Sequence, residues 1–242
     1  MAEFLIARRN GGRSARGLSM TNLIAASFFL LSSHFLIASR WLRGVLVGKL
    51  GERVYSISYS VLAIVAFAWL IMAYNGSPDL QVWRAPRWLG IALAPVLLLS
   101  SVLIVAGLTT PNPAMVRSEH LFERSNLIQG VLRISRNPFF WGMGLLSVSF
   151  ILAIGSLASI VAFGSIAFLG IVGGQVLGAK KAKQHGAEWR RFAAETSDVP
   201  FMAIMAKRQT LALAEIGWRR WSAAGGLFLA VMAFLITRTN GY

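Results

Sequence analysis

The chain has 242 residues, 56% of them hydrophobic and only 14% charged, a balance that excludes a disordered chain or an ordinary water-soluble domain and identifies an integral membrane protein. It contains no cysteine, so disulfide frameworks, thiolate zinc sites, iron–sulfur clusters and cysteine nucleophiles are excluded as well. A formal charge of +15 suggests nucleic acid in a soluble protein; here the basic residues flank long apolar runs, as topology signals do, and no nucleic-acid partner is expected.

Residues 1–19 carry Arg8, Arg9, Arg13 and Arg16. The stretch Phe4 to Ala7 is too short for a signal-peptide core, and no small-residue cleavage site follows it. Met20 stands just before the first apolar segment, so residues 1–19 are read as a misassigned start or a disordered extension. Residues 20–242 are read as one transmembrane domain.

Five charge-free runs follow: Gly17 to Ser39, Val54 to Pro78, Trp88 to Val116, Asn137 to Ala179, and Trp221 to Thr237. A spanning helix needs roughly 20 apolar residues for a hydrocarbon core of about 30 Å. The fourth run is 43 residues long, about twice the core thickness at ~1.5 Å per residue, and must cross twice. Gly155-Ser156 is the natural break, dividing it into helices at about Phe139 to Ile154 and Leu157 to Ala179. The predicted fold is therefore all-α: a polytopic bundle of about six transmembrane helices, with an amphipathic cytoplasmic segment before the last one.

Lys and Arg number 4 before the first helix, then 4, 2, 4, 0 and 9 in successive loops, and 1 after the last helix. The odd loops share one face and hold 17, against 7 on the other face, or 3 without residues 1–19. The positive-inside rule then places those loops in the cytoplasm and both termini in the periplasm of a bacterial-type inner membrane. Pro95 is expected to kink the third helix. Gly164, Gly170, Gly173, Gly174 and Gly178 mark a face of the fifth helix that permits close packing or leaves room for a planar ligand.

Only one ionisable side chain lies inside the proposed spans: His34, in Leu31-Ser32-Ser33-His34-Phe35. An ionisable group at membrane depth is costly, which makes His34 a candidate proton relay or metal ligand, including an axial ligand to haem. The competing reading is a helix-to-helix hydrogen bond with Ser32, Ser60 or Ser101. His120 lies in a charged loop and reads as solvated. His185 sits in a basic amphipathic stretch expected to lie on lipid headgroups. No Gly-rich phosphate loop, HExxH pair, GxSxG elbow or carboxylate pair at membrane depth is present, which argues against zinc hydrolysis and nucleotide-driven transport. Without buried carboxylates or an inverted repeat, no coupling-ion site for a transporter is evident.

The order of several short motifs resembles the NnrU family and the related 15-cis-zeta-carotene isomerases. They are His34, Leu50-Gly51-Glu52-Arg53-Val54-Tyr55, Tyr59-Ser60 and Thr110-Pro111-Asn112-Pro113, then Gly130 to Pro138 with Trp141-Gly142, then Gly155. Last come His185-Gly186, Trp189 and Thr196 to Phe201 with Ala203-Ile204. The resemblance implies one of two kinds of protein. One is a haem b enzyme that turns a cis double bond of a C40 polyene to trans, with reduced iron lowering the double-bond order. The other is a non-enzymatic membrane protein accompanying denitrification, handling haem or lipid.

The resemblance makes His34 the metal ligand and His34, Arg136 and Asn137 the cofactor-binding residues, and implies membrane lipid and a polyene as partners. It names no catalytic residue. Two positions depart from the family pattern. Asn137 stands where the family's Arg-His-Pro element has histidine, and Phe150 stands where a second iron-ligating histidine is expected; Phe cannot ligate iron. The Arg-His-Pro element also resembles membrane methyltransferases and sterol reductases, which implies a cytoplasmic-face pocket for an anionic cofactor at Arg133, Arg136 and Asn137, with Glu188 and Arg190 opposite.

Overall fold

The computed structural model describes residues 19–115, 118–123 and 126–239. The expected extension at 1–19 lies outside the described residues except for Ser19. Among the described residues nine α-helices form: α1 Ser19–Ile37, α2 Arg40–Leu50, α3 Glu52–Asn75, α4 Arg87–Thr109, α5 Val131–Ile134, α6 Pro138–Ile154, α7 Leu157–Glu195, α8 Met202–Met205 and α9 Trp218–Thr239. Among the described residues there is no β-strand, only an isolated bridge between Gln81 and Ser156. The all-α polytopic expectation holds.

Among the described residues, five helices are long and apolar enough to cross a membrane: α1, α3, α4, α7 and α9. The sixth expected crossing, α6, is apolar and 17 residues long, about 26 Å at ~1.5 Å per residue and at the short end of the spanning range. Large apolar side chains such as Ile64, Met72, Ile91 and Leu229 are exposed, as expected when hydrocarbon rather than water surrounds the helices.

The chain divides into two compact units. The first holds α1 to α3, the segment up to Arg84, and Gly155–Ser165. Here Phe29 packs on Trp69 with ring centroids 5.5 Å apart, and the Trp69 indole N–H donates to Asn22 at 3.1 Å. Tyr74 meets Phe163 edge-on at 5.3 Å. Gly155, at the predicted break, has φ +69, and a Cβ there would strike the Trp83 carbonyl oxygen. Only glycine meets both conditions, because an L side chain is strained at that φ and has no room. Its carbonyl accepts the Val82 N–H at 2.8 Å, and Leu80 accepts the Leu157 N–H at 2.8 Å.

Helix α2 was not anticipated, because the charge-free run ends at Ser39. Ser39 caps it, accepting the Leu42 N–H at 3.4 Å. Gly51, with φ +77, turns the chain into α3. Along α2 the residues Trp41, Val45 and Lys49 recur every four positions and so share one face; all three are exposed.

The second unit holds Ala85–Ile154 and Ile166–Tyr242. Helices α4 and α6 pack closely because Gly142 lies against the α4 backbone: a Cβ there would come within 2.9 Å of the Ser100 carbonyl oxygen. On α7, Gly170 lies close to the Phe140 carbonyl oxygen, where a Cβ would stand 2.8 Å away, whereas Gly164 has open space around it. The glycine face of α7 is thus partly a packing surface, as one of its two readings required. Pro95 lies inside α4, which continues past it to Thr109.

Helix α7 does not stop near Ala179 but runs to Glu195, with a break in helical geometry at Gly186 (φ 31, ψ −94). Its basic C-terminal part buries two aromatic side chains on protein. Trp189 and Phe192 are buried with Ala114, against Phe122, Leu127 and Ile128. Burial on protein gives those aromatic rings close contacts that a lipid interface does not supply.

Candidate functional site

His34 lies in the last turn of α1, where Ser33–Ile37 adopts π-helical winding, a feature that often accompanies functional positions. Its Nδ1 is 2.9 Å from the Leu30 carbonyl oxygen, which also accepts from Ser33 Oγ at 3.0 Å. A carbonyl only accepts, so Nδ1 carries the proton and the Nε2 lone pair is left available. Tyr59 and Phe67 from α3 meet the imidazole edge-on, with centroids at 5.9 and 6.2 Å. Tyr55 stacks beside Tyr59 and donates its hydroxyl to the Ile37 carbonyl at 3.1 Å. Of the serines in the competing reading, Ser60 donates to the Ser56 carbonyl of its own helix at 3.0 Å rather than to His34, a common way for a hydroxyl to be satisfied in an apolar helix.

A backbone-bonded Nδ1 with a free Nε2 is the arrangement that orients a histidine as a metal ligand. His34 therefore fits a haem as one axial ligand. Phe150 does not fit as a second, since its ring packs on Phe234 at 5.3 Å. No group of three or more His, Asp or Glu able to hold a metal forms among the described residues.

The Gly130 to Pro138 motif builds a separate polar cluster in the second unit. Gly130 (φ 55) donates its N–H to Glu215 Oε2 at 2.7 Å. Arg133 grips the same carboxylate with Nε at 2.8 Å and Nη2 at 2.9 Å, and donates Nη1 to Gln209 at 2.7 Å. This two-pronged pairing holds the Glu215 carboxyl below its usual range, chiefly through the Arg133 hydrogen bond and then through the Gly130 N–H.

The next four residues pair with the segment after α7. Arg136 donates its N–H to the Ser197 carbonyl at 2.8 Å, and Phe201 donates its own to Ile134 at 2.8 Å. Ser135 Oγ donates to the Asp198 carbonyl at 2.6 Å and accepts the Asn137 N–H at 3.1 Å. Asn137, 2% exposed, donates Nδ2 to Asp198 Oδ1 at 2.7 Å and to the Gly174 carbonyl at 3.5 Å. Its buried Oδ1 has no partner among the described residues.

The Arg136 guanidinium lies over the Trp189 ring at 5.9 Å and donates to the Ala193 carbonyl at 3.4 Å. Burial lowers its pKa, while Asp198 works in the opposite direction. Arg208 completes the end of α7, donating Nη1 to Ala194 at 2.6 Å and to Thr196 at 2.9 Å. Cationic donors on the last carbonyls satisfy groups that a helix leaves unpaired.

Arg133, Arg136 and Asn137 are thus brought together with Asp198 and Glu215, which the sequence reading had not assigned. Glu188 and Arg190 are both exposed, and neither bonds to Arg133, Arg136 or Asn137. His120 is exposed, as expected; His185 packs on Phe122 with ring centroids 5.3 Å apart and the planes tilted by 40°.

Both motif segments lie within a match to the family model described as NnrU protein, which extends over residues 22–238. The chain belongs to the NnrU family. No curated protein and no solved structure matches it. Within this NnrU chain, the geometry shows that two of the motifs, Gly130 to Pro138 and Thr196 to Phe201, are halves of one hydrogen-bonded cluster.

Proposed function

We propose that this NnrU-family protein is a membrane haem b protein with His34 as its one axial ligand, acting as a cis–trans isomerase of a carotenoid-like polyene. The observation that carries the reading is the 2.9 Å bond from His34 Nδ1 to the Leu30 carbonyl, which leaves Nε2 available. Leu30 sets the tautomer, and Tyr59 and Phe67 restrain the ring plane. If haem were held there by His34, its reduced iron would supply the chemistry that lowers the order of a double bond and eases its rotation. Isomerisation changes no atom count and no oxidation state of the polyene, so no general acid or base is required of the protein. The absence of carboxylates from the apolar spans is compatible with that. A substrate soluble only in lipid suits a chain whose helices expose apolar side chains.

The same reading places residues 20–242 in one transmembrane domain, the odd loops in the cytoplasm, and both termini in the periplasm of an inner membrane. The charge bias supports this topology.

A second reading is favoured by Phe150 and Asn137. Phe150 is buried on Phe234, and Asn137 is a hydrogen-bonded strut to Asp198. Both positions serve structure here, which suits a non-enzymatic protein accompanying nitrogen-oxide respiration and handling haem or lipid. The two readings separate on incubation of the purified, haem-loaded and reduced protein with poly-cis zeta-carotene. Conversion to the trans isomer, lost in His34→Ala, supports the isomerase; an unchanged isomer profile with haem bound supports the accessory role.

A further inference from the structure

A groove of about 430 Å³ opens on the second unit where the end of α4 adjoins the start of α9. That volume lies within the range of ligand pockets, roughly 300 to 1,000 Å³. Val105 and Thr109 line it from α4, Ile216 from the turn before α9, and Trp218, Arg219 and Ala223 from α9 itself. Apart from Thr109 the lining is apolar side chain or guanidinium, so it accommodates a hydrocarbon chain and carries cations for an anionic head.

The charges here do not balance within the chain. Arg220 is engaged, donating Nε to Thr109 Oγ1 at 2.9 Å, Nη2 to the Thr109 carbonyl at 3.0 Å and Nη1 to the Ile216 carbonyl at 3.1 Å. Arg219 is different: it is exposed, stacks on Trp218 at 5.6 Å, and pairs with no carboxylate among the described residues. Glu215, the nearest acid in sequence, is held by Arg133 and the Gly130 N–H. The first turn of α9 holds no acidic residue, and two arginines beside the positive end of the helix dipole repel it. An anion from outside the chain relieves that repulsion.

The groove lies at the first turns of a membrane-spanning helix, Trp218–Arg238. Trp218 is exposed there, and Trp favours the headgroup boundary. We propose that this groove binds one anionic phospholipid, with an acyl chain along Val105, Trp218 and Ala223 and the phosphate on Arg219. An arginine paired with phosphate and stacked on an aromatic ring is a favourable anchor for such a headgroup.

The test is lipid retention by the full-length protein, extracted in mild detergent and weighed intact by native mass spectrometry after addition of phosphatidylglycerol or phosphatidylcholine. The wild type should retain one phosphatidylglycerol in preference to phosphatidylcholine. Arg219→Gln should weaken phosphatidylglycerol retention about fivefold, to the level of phosphatidylcholine. Ala223→Phe, which fills the groove, should abolish retention of both lipids with helicity by circular dichroism unchanged; should it fail to fold, Ala223→Val with partial loss serves instead. Equal retention of the two lipids by the wild type, or undiminished retention in the groove-filled variant, overturns the proposal. So does displacement of the lipid by millimolar inorganic phosphate, which would mark a free-anion site.

Discussion

Asn137 and Asp198, 61 residues apart in the chain, are joined by a 2.7 Å hydrogen bond from the Asn137 amide nitrogen to the Asp198 carboxylate, at a position where Asn137 is 2% exposed. The bond ties the turn before α6 to the segment after α7. A buried donor deprived of its charged acceptor costs about 1–3 kcal/mol. Asp198→Ala should therefore lower stability by that amount, whereas Asp198→Asn keeps an acceptor oxygen and should cost about 1 kcal/mol or less. Thermal unfolding in detergent, followed by circular dichroism, checks the ordering. Equal effects of the two substitutions would show that the side-chain bond is not what matters there.

Glu215 supplies a pH dependence. Its carboxyl titrates below the usual range because Arg133 and the Gly130 N–H favour the ionised form. Its contribution to stability is therefore present above the unfolded-state value, about 4.3, and is lost as pH falls through the lower folded value. The melting-temperature gap between wild type and Glu215→Gln should be constant from pH 7 to about 5 and close as pH drops below about 4. A gap that persists unchanged at low pH would rule out the ion pair as its source.

Helix packing separates two glycines of similar appearance in sequence. A methyl group at Gly142 would stand 2.7 Å from Ile104 Cγ1 and 2.9 Å from the Ser100 carbonyl oxygen, whereas Gly164 has nothing within 4 Å. Gly142→Ala should destabilise by about 1–3 kcal/mol, the usual cost of overpacking. Gly164→Ala should be neutral or slightly stabilising, since alanine is the better helix former. Melting temperatures of the two variants, measured side by side, give the comparison.

The absence of cysteine makes site-specific labelling direct. Helix α2 is joined at both ends to spanning helices through Ala38-Ser39 and Gly51, and Trp41 is 77% exposed. Amphipathic helices with Trp and Lys on the outer face lie at the headgroup boundary. A nitroxide on Val45→Cys should report interfacial depth in lipid nanodiscs. Free collision with a water-soluble relaxation agent would instead place α2 in the aqueous phase.

The spanning segments were legible because burial in hydrocarbon forbids charge over a fixed length, and Gly155 was legible because a hairpin there needs a residue that tolerates φ +69. Helix α2 was not legible, since its Arg and Lys end the charge-free pattern although they suit an interfacial helix. The extension of α7 was hidden for the same reason, its buried Trp189 and Phe192 lying among lysines and arginines. At the candidate sites, residue types were readable and partners were not. Arg133 and Glu215 are 82 residues apart, and the acceptor that orients His34 is a backbone oxygen, which no side-chain pattern reveals.

The measurement that bears most directly on the central claim is the absorption spectrum of the detergent-purified protein, oxidised and dithionite-reduced, with haem quantified as the pyridine haemochrome. The account predicts a Soret band at close to one haem per chain, with the spectrum of a single histidine ligand, lost in His34→Ala while helicity and folded yield stay intact. A colourless protein after expression with ample haem, or a haem spectrum unchanged by His34→Ala, would contradict it.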